Sequence, residues 1–312
     1  MPADSLLARA QQLIRSPHLH WTRDPQLWVE LFATANLAVL AADIYIAHSV
    51  NQFRRPAEYI PLYFSIAAPP VLAIFISLRW RWQLRAPWRD VGYLIGWLAV
   101  LIGLAGVLFH LESSFFINKT LKSLTYAAPF AAPLAYTGLG FLLLVNRMVD
   151  SRSKEWAQWI MLLALGGFFG NFVLSLTDHA ANGFFLKTEW IPVISSAFAT
   201  GFLIVPLMMK VTRRFLDLCL LVLLAQAFVG VLGFWFHLRA NLIEPGHSLF
   251  SKFVNGAPPL APLLFPNLVG LALIGMWAFI PHIEEPPTGH SWLGTAYQWI
   301  HPRKQGATDA AE

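Results

Sequence analysis

One cysteine, Cys219, is all that 312 residues contain, and it lies in an apolar run. That excludes an intrachain disulfide, a cysteine-ligated iron–sulfur cluster and the Cys-x-x-Cys-His haem attachment. Charge is also scarce. Only 12% of residues are Asp, Glu, Lys or Arg, against about a quarter in a soluble globular protein. There is no Gly-rich phosphate loop, no Gly-x-Ser-x-Gly elbow, no His-Glu-x-x-His and no acid pair at glycosidase spacing. The first 27 residues lack an apolar core of the signal-peptide kind, so the first spanning helix is expected to direct insertion itself.

Apolar sequence fills the space that charge leaves. Hydrophobic residues make up 56% of the chain and the mean hydropathy is +0.54. Runs of about 20 apolar residues, the length that crosses hydrocarbon, recur throughout. They predict spans at about 28–48, 59–78, 92–110, 124–146, 157–178, 190–209, 215–237 and 256–280. Residues 5–15 place Leu6, Leu7, Ala10, Leu13 and Ile14 on one helical face and predict a surface-lying amphipathic helix. The net charge of +5 does not call for nucleic acid, because the basic residues fall in short loops between spans. Arg79, Arg81, Arg85 and Arg89, then Arg147, Arg152 and Lys154, then Lys210, Arg213 and Arg214 crowd the loops after even spans. The loops after odd spans are longer and poorer in Lys and Arg. Both termini are therefore expected in the cytoplasm, with the chain in the cytoplasmic (inner) membrane. Prolines concentrate in the even spans, mostly in their first half: Pro61, Pro69, Pro70, Pro129, Pro133, Pro192, Pro258, Pro259, Pro262 and Pro266. Such density predicts kinked, irregular helix starts, tolerated where protein or water satisfies the freed carbonyls.

The chain also repeats itself. His48, Asn51, Phe53, Glu58, Ile60 and Pro61 return as His179, Asn182, Phe184, Glu189, Ile191 and Pro192, all at an offset of 131. Gly103, Gly106 and His110 return as Gly230, Gly233 and His237 at an offset of 127, and Pro129 and Pro133 as Pro258 and Pro262 at 129. The expected fold is an all-α polytopic membrane protein of eight transmembrane helices, two tandem parallel four-helix repeats with pseudo-two-fold symmetry. The expected divisions are a cytoplasmic segment 1–27, repeat A at 28–147, a linker 148–155, repeat B at 156–280 and a cytoplasmic tail 281–312. In that tail Trp292, Tyr297 and Trp299 suit the headgroup level, and the last residues read as disordered.

All four odd spans end in histidine, which places His48, His110, His179 and His237 at one extracytoplasmic depth. Glu58 and Glu189 open the helices that follow two of them. Imidazoles and carboxylates at one level form a metal-ligand set suited to Zn, Cu or Fe. Gly103, Gly106, Gly230 and Gly233 share a helical face with their histidines, a bare strip against which a bis-His b-type haem could lie. Each feature has a plainer explanation. Histidine interacts favourably with a helix C-terminus, glutamate with an N-terminus, and small residues allow close helix packing. Other polar residues in the spans are few: Asn36, Asp43, Asn171, Asp178, Asp217, Gln226 and Asn267. Asp43 and Asp178 stand near enough in sequence to orient an imidazole. The residues predict a metal or haem protein of electron transfer or metal handling. The competing readings are a transporter of a small solute or ion through proline-kinked helices, and a structural anchor subunit. Expected partners are the lipid bilayer and a membrane redox or transport complex, or a second copy of the chain.

Overall fold

In hydrocarbon a backbone finds no water, so every N–H and C=O of a spanning segment must be satisfied within it, and a helix does so. The computed structural model describes residues 24–245, 248–284 and 291–300, and all regular structure among them is helical. Helix α1 (Pro25–Ser49) starts where Asp24 caps Gln26 N and Pro25 cannot donate. A 3₁₀ turn at Pro56–Glu58 leads into α2 (Tyr59–Arg81), followed by α3 (Arg85–Glu112) and two short helices, α4 (Phe115–Asn118) and α5 (Leu121–Thr125). Then come α6 (Leu134–Met148), α7 (Lys154–Ala181), a second 3₁₀ turn at Lys187–Glu189, and α8 (Trp190–Met208). After α9 (Arg213–Ile243) and α10 (Leu249–Asn255), a 3₁₀ turn at Ala261–Leu263 opens α11 (Leu264–Phe279), and α12 (Trp292–Ile300) closes the described chain. The expected surface helix at residues 5–15 and the end of the tail lie outside the described residues.

Seven of these elements are long and apolar enough to cross a membrane: α1, α2, α3, α7, α8, α9 and α11, three of them with their 3₁₀ turns. The expected span at 124–146 differs. Its helix, α6, has only 15 residues, about 22 Å at 1.5 Å per residue. Prolines explain the shortening, since residues 126–133 hold Pro129 and Pro133 and form no regular helix. Outward faces carry large apolar side chains such as Leu94, Leu101 and Phe228, as contact with lipid requires. Trp156, Phe168, Leu37, Met161 and Met276 are fully buried between the helices.

The closest packing joins α3 to α6. A Cβ built on Gly140 would stand 2.8 Å from Val100 N, and one on Gly96 3.1 Å from Gly140 O. Backbones approach that closely only where side chains are absent. α1 packs on α2, α6 and α11, and α7 packs on α8, α11 and α6, so these helices form the central contact. Asn36 on α1 and Asn267 on α11 bond amide to amide across it. The short segments cross over too: α5 rests on α7, and α10 on α1, where Phe250 meets Tyr45 at 6.1 Å.

One end of the bundle holds a polar core within the apolar one. Arg147 grips Glu30 with two bonds of 2.8 and 3.0 Å, and both side chains are 0% exposed. Asn146 Nδ2 donates to Glu30 at 2.6 Å and to Gln26 O at 3.0 Å, Trp156 Nε1 donates to Asn146 at 3.3 Å, and the Arg147 guanidinium lies 4.5 Å from the Trp88 ring. Buried charges persist only with such complete satisfaction. At the same end α12 is held in place by another helix. Asp217 on α9 accepts from Trp292 N and Leu293 N, both at 3.0 Å, and from Ser291 Oγ at 3.1 Å. A carboxylate supplied at a helix N-terminus satisfies its free N–H groups and opposes its dipole. Asp217→Ala is therefore expected to weaken the docking of α12 by about 2 kcal/mol. Hydrogen exchange should then rise over 292–300 while α9 stays protected.

Candidate functional site

At the opposite end of α1 the chain must reverse within a few residues, and it does so through strained backbone. Gln52 and Phe53 have φ of 60° and 50°, and Phe53 N donates to His48 O at 3.2 Å. The corresponding turn after α7 has φ of 73° at Gly183 and 49° at Phe184, with Phe184 N bonded to His179 O at 2.9 Å. Glycine takes this region freely; Gln52 and the two phenylalanines take it at about 1 kcal/mol each. Stacking holds them there. Phe53 lies on Tyr59 at 4.8 Å, and Phe184 lies on Trp190 at 4.0 Å. The turns fold the first residues of α2 and α8 back over the histidines.

Two histidine–glutamate pairs result. His48 Nδ1 stands 3.6 Å from Glu58 Oε2, and His179 Nδ1 stands 3.7 Å from Glu189 Oε2. Both distances exceed a hydrogen bond. In each pair Oε2 is buried and has no hydrogen-bond partner. Glu58 Oε1 accepts from Asn51 Nδ2 at 3.1 Å.

His110 and His237 are held differently, and alike. His110 Nδ1 bonds Pro129 O at 2.9 Å, and His237 Nδ1 bonds Pro258 O at 2.8 Å. A carbonyl oxygen only accepts, so Nδ1 carries the proton and donates. In the neutral ring Nε2 is then the free lone pair, the tautomer of a ligating or proton-accepting imidazole. The accepting carbonyls belong to the irregular stretches before α6 and α11. Side chains from the preceding helices brace both stretches: Ser113 Oγ accepts from Ala128 N at 3.0 Å, and Asn241 Oδ1 from Ala257 N at 2.8 Å.

His48 and His110 meet edge to face at 6.2 Å between ring centroids, and His179 lies within electrostatic reach of His237. His48 thus neighbours both Glu58 and His110, and His179 neighbours Glu189. Among the described residues no three His, Cys, Asp or Glu side chains converge to hold a metal ion as they stand. The approach is pairwise. Asp43 and Asp178 hydrogen-bond neither neighbouring imidazole; Glu58 and Glu189 face those rings instead.

The glycine strips are filled. A Cβ on Gly103 would stand 2.6 Å from Thr137 N and 2.9 Å from Pro133 O, and one on Gly106 2.7 Å from Pro133 Cβ. On Gly230 it would stand 2.6 Å from Pro262 O, and on Gly233 3.0 Å from Pro262 Cβ. The next helix occupies the face on which a macrocycle would have to lie, so haem does not fit against these glycines. The packing explanation accounts for them.

Sequence reasoning missed Glu30 and Arg147. Arg147 reads as a loop cation, and Glu30 sits two residues inside the first apolar run. Opposite charges just inside two spans at the same end are the signal that pairs them. No family model, curated protein or solved structure matches the chain.

Proposed function

We propose that this is an eight-span protein of the cytoplasmic membrane, built from two tandem four-helix units at about 28–147 and 156–280 and binding transition-metal ions outside the cytoplasm. On this reading α6 is the eighth span, helped across by the irregular 126–133, and both termini are cytoplasmic. Each unit has an even number of spans, so the copies insert the same way up and share a pseudo-two-fold axis along the membrane normal. The observation that carries the proposal is the recurrence of one geometry. A His–Glu approach of 3.6 and 3.7 Å and a His–carbonyl bond of 2.9 and 2.8 Å occur once in each half.

The donor set consists of Lewis bases: two imidazoles and a carboxylate with an unpartnered oxygen. Buried polar atoms without partners mark places where an ion or water completes the structure. Imidazole with carboxylate suits Zn, Cu or Fe. Few protein ligands per ion leave positions open for exchange, unlike a structural site closed by four. Metal handling is therefore the role, with one ion per unit.

Elemental analysis of the purified, detergent-solubilised protein after equilibration with Zn, Cu or Fe tests it. Up to two ions per chain are expected, and His110→Ala and His237→Ala should each remove one. No stoichiometric metal would overturn the proposal. A second reading has its own observation: helices that start only after unwound, proline-bearing stretches, as α6 and α11 do, line solute paths in transporters. Solute uptake into proteoliposomes that survives alanine at all four histidines would favour it.

A further inference from the structure

We infer that the two centres differ in affinity, and that Tyr136 is the positioning residue that makes the first one tighter. This rests on the metal-binding reading above. The outer geometry is the same in both halves; the layer beneath it is not. At the offsets that align the histidines and prolines, Ser65 corresponds to Ser196 and Tyr136 to Phe265. All four side chains are buried, at 1%, 0%, 3% and 3% exposure.

In the first half the Tyr136 hydroxyl donates to Pro61 O at 2.9 Å, and the same oxygen bonds Ser65 Oγ. The carbonyl can only accept, so Tyr136 gives its proton to Pro61 and Ser65 gives its own to Tyr136. α6 is thereby tied to the first turn of α2, three residues beyond Glu58. Asn51 holds Glu58 from the other side through Oε1. In the second half Phe265 has no hydroxyl to offer. Ser196 turns back on its own helix and donates to Pro192 O at 2.6 Å. Asn182, the counterpart of Asn51, makes no hydrogen bond to Glu189. One carboxylate is thus held by Asn51 and opens a helix that Tyr136 ties to α6, and the other has neither support.

Ordering a side chain on binding opposes association, and a carboxylate already ordered avoids that loss. One immobilised side chain corresponds to about tenfold in affinity. The probe is Zn(II), titrated calorimetrically into the full-length protein after chelator treatment. Two binding events about tenfold apart are expected. Tyr136→Phe should bring the tighter one most of the way down to the weaker and leave the weaker unchanged, and Asn51→Ala should weaken the same event less. His179→Ala, by removing the weaker event, assigns the sites. A general structural defect would move both events together, so selective loss is the signature of positioning. Should Tyr136→Phe fail to fold, Asn51→Ala still reads Glu58 alone. Two equal sites in the unmodified protein, or equal shifts at both, overturn the inference and leave metal binding intact. No zinc binding at all overturns the metal-binding reading and this inference with it.

Discussion

Arg147→Met alone is expected to destabilise the protein by about 3–5 kcal/mol, whereas Glu30→Met with Arg147→Met should recover most of that loss. The single change leaves Glu30, 0% exposed, with its charge facing Asn146 and no counterion. Removing one partner of a buried pair exposes the full penalty of burying the other, while replacing both by apolar groups of similar volume is often neutral. The chain offers its own precedent. At the offsets of 131 and 129 that align the two halves, Glu30 corresponds to Met161 and Arg147 to Met276, and both methionines are 0% exposed. Asn146 corresponds to Gly275, where a Cβ would meet Met161 Cγ at 2.8 Å. One half thus answers with a salt bridge the packing problem that the other answers with thioethers, under the duplication proposed here. Equilibrium unfolding in mixed micelles should place the double variant within about 1 kcal/mol of the unmodified protein. A double variant as unstable as the single one would show that the two positions are not equivalent.

That pair also marks the limit of what the sequence discloses. Length and apolar content place seven helices, because a spanning backbone has almost no alternative. The four histidines and two glutamates are legible as well, since recurrence at offsets of 131 and 127 is visible without coordinates. Arg147 is not legible. A basic residue at the end of a short span reads as a loop cation until the partner that draws it inward is known. The break before α6 is legible in kind but not in extent: Pro129 and Pro133 predict an irregular start, and residues 126–133 form no regular helix at all. The left-handed turns at Phe53 and Phe184 escape notice because non-glycine residues seldom adopt that conformation. Those turns bring Glu58 and Glu189 toward the histidines, so the residue types could be listed while their pairing could not. The strip from Gly103 to His110 was open to two meanings for the same reason. A glycine face reports that something lies close, and only the fold says what.

The two meanings predict opposite results for alanine. If a strip faced a removable cofactor, a methyl group there would be tolerated by the cofactor-free protein. With the strip packed against the next helix, Gly103→Ala and Gly230→Ala should each cost about 3 kcal/mol, at the upper end for overpacking. The Cβ would stand 2.6 Å from Thr137 N in one case and 2.6 Å from Pro262 O in the other. Both obstacles are backbone atoms, which cannot swing aside as a side-chain end can. α3 would have to retreat from α6, or α9 from α11, and the histidine four residues beyond Gly106 or Gly233 would lose its proline carbonyl. The controls are in the same protein: Gly166, Gly170 and Gly201 have nothing within 4 Å of an added Cβ, so alanine at those positions should be neutral or slightly stabilising. Thermal unfolding of the five variants, purified without added metal, decides the matter. Loss of stability confined to Gly103→Ala and Gly230→Ala makes the strips helix contacts that set His110 and His237 against their carbonyls. Unchanged stability there would instead leave the strips free for a ligand.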